Sequence, residues 1–358
     1  MARIAPASLA AARHATRAGH WLWGVEVAAG LLACWLLLRS GLLFRLADAI
    51  ETDRPRPWLA SAACAAVMAA ALTLIAGGLE ASLQGVFQHT LLYVLIAVIV
   101  VPPVLALAQR SPRWWWAWTG AVAAILIFAQ TWGPYAVASG PAHLPPAPPG
   151  PIRTSLLQLV QAAKLPVGQI YVSKGKWVDA DVTGVPGRPR VVITQGMLEA
   201  ASPQEARAAV GHLMGHYHYL DLLSFAGLRA LLAVLGLLAC ALLFRPTAWL
   251  MGAPVRSPAE PAALPVLAAI AIVWLALCTP VRNSFIRLIN VRADQYSLDH
   301  AREPDGLAQN LLRNWDGDDP DPSAMEEAVF YDHPSLKSRL LHAMTWKAAR
   351  LPGGPAGG

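Results

Sequence analysis

The sequence predicts a mainly α, polytopic membrane protein: a helical bundle of about six spans carrying a small α+β part outside the lipid. Three observations predict it. The 358 residues are 56% hydrophobic and only 14% charged, whereas a soluble globular chain runs at about 25% charged. Six apolar runs, at roughly 21–38, 58–78, 90–109, 114–132, 222–244 and 262–281, approach the length of about 20 residues that a bilayer crossing needs. Two polar stretches, 133–221 and 282–350, interrupt and follow those runs.

The first run ends in Arg39 instead of a small-residue cleavage site, and further spans follow it. It therefore reads as a retained anchor, not a signal peptide. Glu26 lies inside it. A carboxylate is expensive in lipid, which predicts that this one faces the bundle or a cavity. The third run contains Pro102-Pro103, a pair that predicts a kink. Trp114, Trp115, Trp116 and Trp118 open the fourth run as an interfacial aromatic belt. Cys34, Cys64, Cys240 and Cys278 each sit within apolar sequence without a Cys-x-x-Cys spacing, and read as small buried hydrophobes.

Arg3, Arg13 and Arg17 favour a cytoplasmic N-terminus. Six spans then put 133–221 and the C-terminal part in the cytoplasm too. Arg39, Arg45, Arg54 and Arg56, after the first span, argue the other way; Asp48, Glu51 and Asp53 do not offset them, because the rule counts basic residues. The net charge of +6 is not gathered into a basic patch with aromatics, so nucleic acid is excluded as a partner and the lipid bilayer is the expected one.

The polar stretches carry different periodicities. A Pro-rich linker, Pro141 to Pro151, precedes a helical pattern at Leu156, Leu157, Val160 and Ala163, then β-like runs at Gln169–Ser173 and Arg190–Thr194. Ser202-Pro203-Gln204-Glu205 predicts a helix start, with Ser202 as cap, Pro203 in the first turn and Glu205 completing a capping box. Residues 282–350 are helical in pattern, and the Gly/Pro-rich tail from Leu351 reads as disordered. The predicted organisation is a four-span bundle at 1–132, a linker and α+β segment at 133–221, a transmembrane hairpin at 222–281, a C-terminal helical part at 282–350 and the tail at 351–358.

The chemistry is written on the helix that Ser202 opens. His212 and His216 are four residues apart in His212-Leu213-Met214-Gly215-His216, so both imidazoles leave one helix face one turn apart. That is how a helix offers two nitrogen ligands to one Zn²⁺. In an H-E-x-x-H motif the glutamate after the first histidine is the general base. Here that position is Leu213, which cannot accept a proton. His218, about 200° round the axis from His216, is a poor third ligand.

The stretch Ala208–Asp221, AAVGHLMGHYHYLD, resembles the integral membrane zinc metallopeptidases of the CAAX prenyl protease and HtpX type. Other pieces agree in order. Asp179-Ala180-Asp181-Val182-Thr183-Gly184 stands where the family has a strand edge reading N-A-x-x-x-G. Two spans follow the zinc helix. Asn290-Val291-Arg292-Ala293-Asp294 stands where the family reads E-x-x-A-D. Ala301-Arg302-Glu303-Pro304-Asp305-Gly306 and Phe330-Tyr331-Asp332-His333-Pro334-Ser335 look like bacterial members. The resemblance implies a zincin-like α+β metallopeptidase domain in a bacterial inner membrane, with that domain cytoplasmic. It assigns His212 and His216 as metal ligands, position 290 as the third ligand, Asp294 as orienting a ligand histidine, and His333 and Arg339 as holding substrate or the reacting carbonyl oxygen. Asp179, Ala180 and Gly184 form the substrate edge.

Three positions depart from the family. Leu213 replaces the base, Asn290 replaces the third-ligand glutamate, and Asp179 replaces the edge asparagine. A neutral amide is a poor zinc ligand, so zinc is expected to be weak or absent unless Asp294, Asp179 or Asp181 substitutes. Plainer roles stand beside these: His333 capping the last helix, Arg339 pairing with Glu326 or Glu327, Asp294 as a solvated helix residue. The expected function is a pseudopeptidase that binds or regulates a membrane-protein or peptide partner. The alternatives are an active zinc endopeptidase with an atypical site and a structural membrane subunit.

Overall fold

A computed structural model describes residues 5–52, 54–77, 83–138, 144–184 and 187–350. Arg3, Asp53, Pro141 and the tail from Leu351 lie outside the described residues. In chain order the first helices are α1 (Pro6–Ser40), α2 (Leu42–Glu51), α3 (Pro57–Gly77), α4 (Leu83–Arg110), α5 (Trp115–Ala138) and α6 (Pro151–Ala162). Strands β1 (Ile170–Ser173), β2 (Ala180–Thr183) and β3 (Arg190–Thr194) follow. Then come α7 (Gln195–Ala200), α8 (Pro203–His218), α9 (Asp221–Leu250), α10 (Leu264–His300), α11 (Pro304–Arg313), α12 (Ala324–Phe330) and α13 (Leu336–Arg350).

Among the described residues, 5 helices are long and apolar enough to cross a membrane by length and composition, at Ala7–Ser40, Pro57–Ile75, Gly85–Arg110, Asp221–Leu250 and Pro261–His300. The run at 114–132 is the exception to the expected six. It folds as α5, a 24-residue helix with no charged residue, opened by Trp115, Trp116 and Trp118. The helix of α4 continues through Pro102 and Pro103. The last expected span and the helix after it are one rod, α10, continuous through Pro280.

The chain forms two compact units. The bundle unit takes Arg17–Leu126 and Arg229–Thr279. Its core includes Cys34, Cys64, Leu105, Phe244 and Ile270, and all four cysteines are buried and free. Small residues let its helices close: a Cβ on Gly236 of α9 would come within 2.7 Å of the Trp274 ring of α10, whose indole N–H donates to the Leu232 carbonyl at 3.0 Å.

The α+β unit takes Ile127–Leu228, the chain from Pro280, and the start of α1 through Thr16. Its sheet has the order β1-β3-β2, with β1 parallel and β2 antiparallel to β3. Alternation in β3 buries Val191 and Ile193 against Leu156 and Val160 of α6 and Val210 and Met214 of α8. β2 is left as an edge strand. Thr194 ties the start of that edge down: its backbone N–H donates to the Asp179 carbonyl at 2.9 Å, and its hydroxyl accepts from Asp179 N at 3.1 Å. Gly184 ends the edge at φ +112°, where a Cβ would overlap the Arg188 carbonyl.

Candidate metal centre and cleft

The α8 helix starts as Ser202 predicts. The Ser202 hydroxyl accepts from Glu205 N at 3.1 Å, and Pro203 occupies the first turn. The reciprocal half of the capping box is not made. The Glu205 carboxylate is buried and takes two hydrogen bonds from Arg313 of α11, at 2.6 and 3.1 Å. A carboxylate removed from water needs an opposite charge more than it needs one backbone N–H.

α8 and α10 approach each other through small residues. A Cβ on Gly215 would stand 2.9 Å from the Ala293 Cα, and one on Gly211 would stand 2.9 Å from the Ser297 hydroxyl. Ser297 instead donates to the Ala208 carbonyl at 2.7 Å. This closeness sets Asp294 against His212, with Nδ1 and Oδ1 2.7 Å apart. Arg339 of α13 forks onto the same carboxylate, with both contacts at 2.7 Å. Arg339 therefore meets Asp294, not Glu326 or Glu327, and Asp294 is buried, not solvated.

A parallel arrangement holds His216. Leu220 takes a left-handed φ of 53° between α8 and α9 and turns the chain so that Asp221 folds back. His216 Nδ1 and Asp221 Oδ2 are 2.9 Å apart, and Arg292 donates to the other oxygen of Asp221 at 2.6 Å. Sequence reasoning misses both Asp221 and Arg292. The only signal available there is an aspartate at the mouth of an apolar run, a place where lipid gives it no partner.

A carboxylate can only accept, so each Nδ1 carries the proton and each Nε2 presents a lone pair. The two Nε2 atoms face each other at 3.0 Å. Two lone pairs so close call for a proton or a cation between them. Nitrogen ligands on one tetrahedral Zn²⁺ are separated by about 3.3 Å. The carboxylate behind each ring is how metal-binding imidazoles are oriented. Burial lowers the His212 pKa below its usual value, against the opposing effect of the Asp294 hydrogen bond. The histidine pair thus fits two ligand positions.

The third position does not fit. Asn290 is buried on α10 and its amide nitrogen donates to the Ile286 carbonyl at 2.9 Å. Among the described residues no three His, Cys, Asp or Glu side chains form a metal-holding group.

Two cavities meet at these residues, of about 460 and 450 Å³, and His212, Leu213, Asn290 and His333 line both. Asp179, Ala180 and Arg339 line the larger. Asp181, Gly184, His216 and Asp221 line the smaller, with apolar walls that include Leu223, Phe225 and Ile289. The Asp179 carboxylate accepts from Ala180 N at 2.8 Å. His333 is exposed, and its Nδ1 lies 2.8 Å from Asp332, whose carboxyl pKa is held down first by that bond.

Residues 146–347 match the family model for peptidase family M48. The chain is 25% identical over 204 residues to an uncharacterized metalloprotease, YhfN, of Bacillus subtilis (strain 168), covering 54% of this chain and 47% of that protein. The match thus spans about half the length of that curated relative. Among solved structures, S. mikatae Ste24p superposes over 77% of this chain and 76% of its own with a TM-score of 0.56 at 16% identity, a likeness of fold.

Proposed function

The chain belongs to peptidase family M48, and on that premise we propose that it is a membrane peptidase-fold protein that binds a peptide or a partner's segment without cutting it. One observation carries this reading: both residues that reaction would need are replaced where the cleft is otherwise built. Leu213 stands beside His212 without a titratable group, and the Asn290 amide is committed to the Ile286 carbonyl. General-base assistance alone is worth about 10²–10⁴-fold, and a neutral amide weakens the metal that would supply the rest. Among the described residues no third His, Cys, Asp or Glu joins the histidine pair as a metal-holding group, which supports binding over hydrolysis.

Binding keeps its parts. The free edge of β2 runs along both cavities, and an extended segment adds to such an edge through main-chain hydrogen bonds. His333 lines both cavities too. With α5 crossing as the fourth span, Arg13 and Arg17 support placing this unit on the cytoplasmic side of a bacterial inner membrane, which reporter fusions after Ala200 test directly: an external reporter signal there sinks the assignment.

The test of inactivity is metal content and reversion. Purified protein is expected to hold well under one zinc per chain. Leu213→Glu with Asn290→Glu is expected to raise zinc toward one per chain and to create zinc-dependent cleavage of an unfolded membrane substrate. Near-stoichiometric zinc in the unaltered protein, lost on His212→Ala together with proteolysis, would establish instead the second reading, an active zinc endopeptidase. What supports that second reading is the intact carboxylate behind each imidazole.

A further inference from the structure

The bundle unit contains a polar group with no counterpart. Glu26 lies on α1 among outward-facing apolar residues, with Trp21 78%, Val25 50% and Leu32 54% exposed. Among the described residues its carboxylate has no hydrogen bond or ion pair. Acidic groups within a span are rare, and normally they are paired or line a polar path.

Here the surroundings are a groove. Trp23, Glu26 and Gly30 form one stripe of α1, at spacings of three and four residues, and face Leu72 of α3 and Ile272 and Leu275 of α10 around a cavity of about 280 Å³. The walls are apolar. The one wall hydroxyl, on Thr279, is already bonded to the Leu275 carbonyl at 3.0 Å. A hydrated ion finds no ring of oxygens there, and the volume is too small for a helix. It suits one long aliphatic stem ending in a positive charge, with the stem on the walls and the cation on the carboxylate. Gly19 lies two turns earlier on the same stripe. It is exposed, with nothing within 4 Å of where a Cβ would stand, so a second helix can approach α1 closely at that point.

We propose that the Glu26 groove is a docking site for a lysine or arginine side chain carried in the transmembrane helix of a partner protein. The site shares no residue with the histidine cleft, so its failure leaves the reading of that cleft standing.

The test uses the full chain reconstituted in phosphatidylcholine vesicles. The probe is a synthetic leucine-rich transmembrane peptide with one lysine at the depth of Glu26, and its association is read by energy transfer. The lysine peptide is expected to associate about tenfold more tightly than the same peptide with leucine there. Glu26→Gln is expected to remove that difference and Glu26→Asp to keep most of it, with all three proteins eluting alike on size exclusion. Equal association of the two peptides overturns the proposal, as does a lysine preference that survives Glu26→Gln. Complete displacement of the lysine peptide by added phosphatidylethanolamine overturns it too, by making the occupant a lipid amine.

Discussion

The two nitrogens of each site histidine face different parts of the molecule. On the Nδ1 side everything is built: His212 meets Asp294, which Arg339 also holds, His216 meets Asp221, which Arg292 also holds, and both aspartates are almost wholly buried. Toward the cleft, Leu213 and Asn290 line both cavities and offer no carboxylate. The difference follows from what each side does for folding. Two buried carboxylates must be neutralised for α8, α9, α10 and α13 to pack at all. The residues at 213 and 290 line the cavities and hold no such ion pair.

Substitutions on the two sides should therefore separate stability from metal binding. Asp294→Ala strips the partner from Arg339, whose side chain is only 16% exposed, and is expected to cost about 3–5 kcal/mol in unfolding experiments. Asp294→Leu with Arg339→Met, which removes both charges together, should recover much of that loss. If the double variant is no more stable than Asp294→Ala, the ion pair is not what the packing of the unit depends on. Gly215→Ala pushes α8 off α10 and should cost about 1–3 kcal/mol, with His216 displaced from Asp221. Asp221→Asn keeps the shape of the turn and is expected to cost about 1 kcal/mol. In the Leu213→Glu, Asn290→Glu background it should also weaken zinc binding by about 10–100-fold, read by competition with a chelator. Leu213→Gln, on the cleft side, removes a partly buried apolar side chain packed against the core and should cost about 1 kcal/mol.

The smallest effect is pH-dependent. The depressed His212 pKa means that the unfolded chain takes up this proton more readily than the folded one. Stability from this group is present above its usual value of 6.5 and falls as the solution is acidified below it. The unfolding midpoint should drop between about pH 7.5 and 5.5, and His212→Gln should flatten that slope. An unchanged slope would mean that His212 is not the titrating group.

The local elements were readable wherever a single periodicity decided them. β3 occupies Arg190–Thr194, and Ser202 and Pro203 open α8 as the sequence implies. The misreadings came where two demands competed. Glu205 matched the capping box but was claimed by Arg313, 108 positions away. Arg339 looked ready for a surface acid and instead completes the Asp294 network.

What the sequence by itself determined is therefore the short-range part: apolar runs of membrane length, two imidazoles one turn apart on α8, and the absence of a proton acceptor at 213. These depend on spacing along one element, which backbone geometry alone dictates. Tertiary structure decided which charges meet. Asp221 and Arg292 are 71 positions apart, and Asp294 and Arg339 are 45 apart. Any of several acids could have satisfied either arginine, until the close approach of α8 and α10 at Gly211 and Gly215 left room for one arrangement.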